Sequence, residues 1–342
     1  MAGSGRLKQR STITDVAVEA GVSVATVSRA LRGLPNVSEP TRARVHEAAQ
    51  KLSYTIDSRA SSLASGRTGL VGLVAPLFGS WYTGQVVAGV ESALAAAGLD
   101  LLVYSVDRPE NRHMILLERV VTRRIDGLIL VDFFIDPERR GELQNLNVPT
   151  VIIGEEVSSL GSLSVDNVLG GRLAAEHLIE LGHRTIAYMG GKQRDNYRSP
   201  VTNDRRSGLV DAYEAAGLDP AMIRDVDGGY TVEGGATAFD ELAVMDPKPT
   251  AVFCASDEMA LGLLAAARNA GVRVPEELSI IGFDDHDVSA PLGLSTIRQS
   301  PQTAGASAVE LLSDAIGGDA ATLHIEMSLE LVVRASSGPV IG

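Results

Sequence analysis

The 342-residue chain holds one cysteine, Cys254, and one tryptophan, Trp81, and aromatic residues make up only 4% of it. A lone cysteine excludes an intrachain disulfide framework and a cysteine metal cluster, which points to a reducing, cytoplasmic setting. No uninterrupted apolar run reaches the ~18 to 20 residues that a membrane span needs. The N-terminus carries Arg6, Lys8 and Arg10 with no apolar stretch behind them, so residues 1–11 read as a disordered basic tail and not as a secretory signal. Enzyme signatures are missing as well: there is no Gly-Lys-Ser/Thr phosphate loop, no Gly-x-Ser-x-Gly elbow, and no histidine pair at metal spacing. No catalytic residue, metal site or cofactor is expected.

Positive charge is scarce overall but not locally. The net charge is −13, yet residues 1–60 carry nine Lys/Arg against five Asp/Glu, a net +4, which leaves −17 on the remainder. An acidic body repels nucleic acid everywhere except at such a basic segment. Three short helical patterns come first, then a Ser/Ala/Arg-rich linker at 57–68. From Gly69, β-rich runs alternate with helical ones: Leu70 to Pro76, Gln85 to Ala97, Leu101 to Val106, Glu110 to Arg124, Leu128 to Val131. The alternation restarts after Ser164 with helices at 170–181, 203–216, 232–245 and 258–270 and strands at 185–189, 251–255 and 278–283. This βαβα order predicts two lobes built on parallel, doubly wound sheets. An internal echo between residues 89–98 (GVESALAAAG) and 208–217 (GLVDAYEAAG) points the same way.

In the basic segment, Thr12 is placed to cap a helix with Asp15 at its third position, and Ile13, Val16, Ala17 and Ala20 share one face. Gly21-Val22-Ser23 then forms a tight turn, Val22 plugging the core and Ser23 capping a second helix that turns Val27, Ala30 and Leu31 inward. A third helix, capped by Ser38 with Pro40 in its first turn, closes the bundle with Val45, Ala48, Ala49 and Leu52. The outward face of the second helix is short and polar, as a major-groove helix must be where backbone approaches bases. Val24 and Ala25 suit thymine methyls, Ser28 bonds either way, and Arg29 suits a guanine edge. With Thr12, Ser23, Thr26 and Arg32 they form the expected DNA-facing set. Arg42, Arg44 and Lys51 fit either phosphate contact or plain solvation.

The run from Thr12 to Leu31 resembles the head of the lactose/galactose repressor (LacI/GalR) family. The likeness continues through Ala60-Ser-Ser-Leu-Ala-Ser-Gly-Arg-Thr68, Val165-Asp-Asn, Leu181-Gly-His-Arg184, Ser256-Asp257, Val274-Pro275, Gly282-Phe-Asp-Asp285 and Val332-Val-Arg334. The resemblance implies an all-α helix-turn-helix head at 12–56, a hinge helix at 57–68, and a periplasmic-binding-protein-like α/β core at 69–342. Its first lobe is expected at about 69–161 and 293–325, its second at about 162–292 and 326–342. By position, Ala60 and Leu63 belong to the hinge, and Leu63 would wedge into the minor groove. Ser61 stands where the family often has arginine.

The resemblance further implies a homodimer on a near-palindromic stretch of double-stranded operator DNA. Repression would be controlled by a small effector, a mono- or oligosaccharide or a derivative, in the cleft between lobes. Sugar sites combine stacking aromatics with charged clamps. Trp81 and Tyr82, read as a loop after the first core strand, with Arg205 and Asp284, are the expected contacts, joined by Ser256, which replaces a common asparagine. Phe133, with Phe134, either lines the cleft or packs between lobes. Asp257 reads as a helix cap and His183 as a structural loop contact; either Gly154 or Glu155 takes a family contact position. Eight residues without leucine heptads follow Arg334, so a dimer is preferred over a tetramer.

Overall fold

A computed structural model describes residues 11–31, 33–54, 67–76, 79–105, 122, 124–132, 141, 143, 145–191, 200–318 and 323–341. The chain divides into two compact units, Met1–Thr68 and Gly69–Gly342. Arg32, Ala60, Leu63, Phe133 and Phe134, the helix expected at 110–124 (all but two of its residues), and residues 1–10 of the basic tail lie outside the described residues.

The head contains α1 (Ile13–Ala20), α2 (Val24–Leu31) and α3 (Glu39–Lys51). The chain enters α1 through a full capping box: Asp15 N–H donates to Thr12 Oγ1, and Thr12 N–H donates to the Asp15 carboxylate at 2.7 Å. Gly21 ends α1 in the left-handed region, φ 65°, where a side chain would strain the backbone. Ser23 Oγ accepts the Thr26 N–H at the start of α2. Val16, Val27 and Val45 are fully buried and meet Ala17, Ala20, Ala30, Ala48 and Ala49, with Ile13, Val22, Leu31 and Leu52 packed around them. Each buried valine contributes roughly 1.5–3 kcal/mol, and the alanines let three short helices approach closely. Ser11, assigned to the tail, is already tied to the head, its hydroxyl donating to the Leu52 carbonyl at 2.8 Å.

The second unit carries two six-stranded sheets. The first has the order β11-β5-β4-β3-β1-β2, from β1 (Leu70–Ala75), β2 (Asp100–Ser105), β3 (Gly127–Val131), β4 (Thr150–Ile153), β5 (Gly161–Val165) and β11 (His324–Met327), all parallel. The second has the order β12-β10-β9-β8-β6-β7, from β6 (Ile186–Gly190), β7 (Arg224–Asp227), β8 (Ala251–Cys254), β9 (Ser279–Asp284), β10 (Ser295–Arg298) and β12 (Glu330–Val332); only β12 runs antiparallel. The lobe boundaries therefore fall later than expected. Residues 161–165 pair with β4 and stay in the first lobe, and 295–298 pair with β9 and stay in the second.

Helices cover both sheets: α4 (Trp81–Ala96) and α9 (Pro301–Gly317) pack together on the first, α5 (Asn167–Glu180) with α6 (Val201–Ala215) and α7 (Val232–Ala243) with α8 (Asp257–Asn269) on the second. The internal echo has a packing cause. A Cβ on Gly89 would sit 2.1 Å from the Gln302 carbonyl oxygen, and one on Gly208 1.9 Å from that of Val168, so each echoed helix lays its backbone against a partner. Helix α4 starts at Trp81, capped by Ser80, four residues earlier than the sequence pattern placed it. Trp81 and Tyr82 thus occupy a helical first turn and not a loop; the glycines at 79 and 84 disguised it.

Candidate functional site

On α2, Ser23, Val24, Ala25 and Arg29 are exposed, Thr26 and Ser28 are part-exposed, and Val27 and Ala30 are sealed in the core. Val24 with Ser28 and Ala25 with Arg29 are i, i+4 pairs, so short groups and one long cation share an outward stripe. Thr12 donates both its backbone N–H and its hydroxyl to the Asp15 carboxylate, the backbone bond foremost in holding that carboxyl below its ordinary range. Arg42 is part-buried, and its guanidinium donates to the carbonyls of Ala30 and Leu34, closing the end of α2. Lys51 pairs with Glu19 on the surface. Ser38 makes no backbone cap; its hydroxyl meets that of Thr41 at 2.9 Å.

In the second unit, charged side chains gather where parallel strands end at their carboxyl edges, the position at which open α/β sheets bind ligands. Arg205, on α6, is 5% exposed. Its Nε donates to Asn167 Oδ1 at 2.9 Å, an Nη1 hydrogen goes to the Ala255 carbonyl, and its guanidinium lies 3.4 Å from the Phe283 ring centroid. Asp284, the last residue of β9, is 6% exposed and accepts from Gln299 Nε2 at 2.6 Å. Burial pushes its carboxyl up to about 8 against the opposing pull of Arg205. Asp132, directly after β3, is raised to about 6, again by desolvation against Arg205. The Tyr82 hydroxyl is pushed well up by burial and by both carboxylates, and that of Tyr230 by burial.

Four non-glycine residues here hold positive φ: Asp132 at 45°, Tyr230 at 56°, Asp284 at 122° and Asp285 at 60°. Backbone strain of this kind persists where the surroundings enforce it, and it concentrates at working sites. Gly154 is part of that enforcement, because a Cβ there would meet Asp132 Oδ1 at 2.6 Å.

Two expected residues are otherwise engaged. The Trp81 ring stacks on His286 of the opposite lobe, centroids 4.9 Å apart, and its indole N–H donates to Asp287 at 3.1 Å. Ser256, and not Asp257, caps α8 by accepting the Met259 N–H. Asp257 is fully buried and accepts from the His286 N–H and the hydroxyls of Ser289 and Thr296, at 2.7–2.8 Å. His183 bonds Thr250, Ser279 and the Gly338 carbonyl, a structural contact as expected. Asp132 and Tyr230 escaped the sequence reading, which fixed on the aromatic Phe133; the signal available was a polar residue just past a strand. Among the described residues no cluster of His, Cys, Asp or Glu suits a metal ion, and no helix is long and apolar enough to cross a membrane.

A helix-turn-helix head and a two-lobed core with a polar interlobe cleft define a ligand-responsive DNA-binding regulator. Comparison with known proteins agrees. The family model for bacterial regulatory proteins of the lacI family matches residues 12–57, and that for a periplasmic binding protein-like domain matches 175–337. Catabolite control protein A of Priestia megaterium is 32% identical over 307 residues, 88% of this chain and 91% of the relative. The Lac repressor dimer bound to operator and the anti-inducer ONPF superposes with TM-score 0.84 at 27% identity, covering 96% of this chain and all of that one. The transcriptional regulator CelR in complex with cellobiose gives 0.69 at 30% identity, over 96% and 100% of the two chains. The chain belongs to the LacI family of bacterial regulatory proteins. It is a transcription regulator and not an enzyme.

Proposed function

We propose that this protein is a cytoplasmic repressor that binds near-palindromic operator DNA as a homodimer and changes its grip when a small molecule of the sugar class enters the interlobe cleft. The observation that carries the reading is one chain holding both parts: an α2 stripe of Val24, Ala25, Ser28 and Arg29 beside a sealed core, and a polar cleft with buried Arg205 and Asp284 and part-buried Tyr82. The Lac repressor, bound as a dimer to its operator, and CelR, bound to cellobiose, support this assembly and ligand class.

In this reading Val24 and Ala25 touch base methyls, Arg29 and Ser28 bond base edges, and Ser23, Thr26 and Thr12 fix the helix against the backbone. Arg32, Ala60 and Leu63 extend the contact by family position, Leu63 as the minor-groove wedge. Arg205 and Asp284 clamp ligand hydroxyls and Tyr82 packs against the ring; Phe133 remains a cleft candidate. Trp81 and Ser256 serve through position, the first at the lobe contact and the second at the α8 cap. The test is selection of binding sites from random duplexes, followed by titration of a sugar panel onto the complex. A palindromic site whose affinity shifts with one sugar is expected; recovery of no preferred site refutes the reading.

A further inference from the structure

Helix α1 carries a surface that the DNA-facing set on α2 leaves unused. Where α1 turns into α2 an open groove of about 490 Å³ is lined by Thr14 and Val18 of α1, Gly21 and Val22 of the turn, and Ser23 and Val24 at the start of α2. Thr14 and Val18 stand one helical turn apart on the solvent side of α1, and Val18 is 78% exposed. Val24, 42% exposed, belongs both to this groove and to the outward stripe of α2. The groove is therefore continuous with the surface that faces DNA.

The groove is apolar and its walls are fixed. None of its lining residues is charged, and both carboxylates of α1 are engaged elsewhere, Asp15 with Thr12 and Glu19 with Lys51 on α3. The Ser23 hydroxyl is turned to Thr26, whose N–H it accepts at 3.1 Å. The Gly21 N–H donates to the Val18 carbonyl and the Val22 N–H to that of Ala17, so the turn is tied to α1. Gly21 keeps one corner open, since a Cβ there would meet no atom of the described residues within 4 Å. A polyanion meets no like charge in this groove, and a group that enters it exchanges water for aliphatic carbon. On base edges in the major groove, the apolar group is the C5-methyl of thymine. A protein partner fits less well, because seven lining residues fall far short of the roughly 20–30 that each side of a stable protein interface uses.

Resting on the operator-binding reading above, we propose that the operator interface extends onto α1, where Val18 together with Val24 seats the C5-methyl of one thymine and so sets base preference at that position. A recognition helix meets base edges with its N-terminal residues, which brings the adjoining end of α1 to the same bases. Arg29 supplies hydrogen-bonded readout, and the valine pair supplies readout of a methyl group. Taking one methyl out of water between two valines is worth about fourfold in affinity. The seat recognises the methyl and not the ring that bears it. A 5-methylcytosine, which carries its methyl at the same ring position, is therefore read there as thymine is.

The experiment uses the full chain and the duplex it selects from random sequence. Each thymine is replaced in turn by deoxyuridine, which removes only the methyl, and binding is followed by fluorescence anisotropy for wild type and Val18→Ala. Val18 lies outside the sealed core of Val16, Val27 and Val45, so its truncation leaves the head folded, which thermal denaturation checks. The expected result is one position at which wild type loses about fourfold on uracil and Val18→Ala loses nothing, while penalties at other thymines are the same in both. At that position 5-methylcytosine paired with guanine should bind wild type more tightly than cytosine by a similar factor, and should bring Val18→Ala no gain. Uracil penalties that match in the two proteins at every position overturn the inference and leave the operator reading intact. A Val18→Ala defect of equal size on thymine and uracil duplexes does the same. Selection of no preferred duplex by wild type overturns both.

Discussion

Replacing Asp257 with asparagine should change the pH dependence of stability in a calculable way. Asp257 is fully buried, takes three hydrogen bonds, and has its carboxyl raised from an ordinary 3.8 to about 6, chiefly by burial, with the three hydrogen bonds pulling the other way. The folded state therefore keeps this proton to a higher pH than the unfolded chain does. Stability from this group is fully present below about pH 4 and is lost as pH rises through 6; two pKa units correspond to about 3 kcal/mol. Asparagine keeps the shape and has no proton to lose. Its oxygen can accept from His286 and Ser289 while its amide donates to Thr296 Oγ1, which turns round. The stability of wild type minus that of Asp257→Asn should thus fall by about 3 kcal/mol between pH 4 and pH 7. Guanidinium denaturation at several pH values, followed through the single tryptophan, measures this. A difference that stays flat across that range refutes the reasoning. Asp257→Ala separates charge from hydrogen bonding: it strands the His286 N–H and leaves a cavity, costing about 2–4 kcal/mol at every pH.

Three further outcomes are expected. Arg29→Ala should relax base preference at one operator position by about 1–3 kcal/mol and leave salt-sensitive non-specific binding in place, read by site selection and by titration at two salt concentrations. Arg205→Lys keeps the charge but cannot reach Asn167 and Ala255 with one planar fork, so calorimetry should find ligand binding lost while gel shifts find operator affinity retained. Trp81→Phe preserves a ring over His286 and removes the indole hydrogen bond to Asp287, worth about 0.5–1.5 kcal/mol; small-angle scattering of the unliganded protein should report a larger radius of gyration, and an unchanged one argues against Trp81 holding the lobes together.

The head was almost wholly legible in the sequence because its determinants are local. Capping box, turn glycine and i, i+3, i+4 spacing lie within a few residues of one another, and the sealed core of Val16, Val27 and Val45 follows from them. The alternation of strands and helices was legible for the same reason. Lobe membership of 161–165 and 295–298 was not, since it depends on which neighbour a strand finds after the chain has crossed over. The cleft was half legible. Arg205 and Asp284 came from family position, whereas Asp132 became visible only when the sheets brought its carboxyl within reach of Arg205. Asp257 shows the remaining difficulty: a carboxylate one residue after Ser256 reads as a cap, and only tertiary structure reveals that its acceptors are turned to His286, Ser289 and Thr296.

The segment from Asp284 to Asp287 ties these features into one mechanical unit. Asp284 faces the cleft. Its neighbour Asp285 is desolvated too, yet its carboxyl is held below the ordinary range because Arg298 and Arg334 both bond it at 2.6–2.7 Å, fastening the segment to β10 and to the chain beyond β12. His286 is anchored by its N–H to Asp257, and its ring, with the Asp287 carboxylate, meets Trp81 on the other lobe. Four consecutive residues therefore contact ligand space, a part-exposed ion-pair cluster, a buried carboxylate and the opposite lobe. Two of these anchors sit within the second lobe and resist displacement, so a ligand that draws on Asp284 cannot be accommodated by a slack loop. The movable contact is the exposed one at Trp81. A change at the cleft is thereby directed to the seam between lobes, where a modest hydrogen bond and a ring contact are the interactions that can give way.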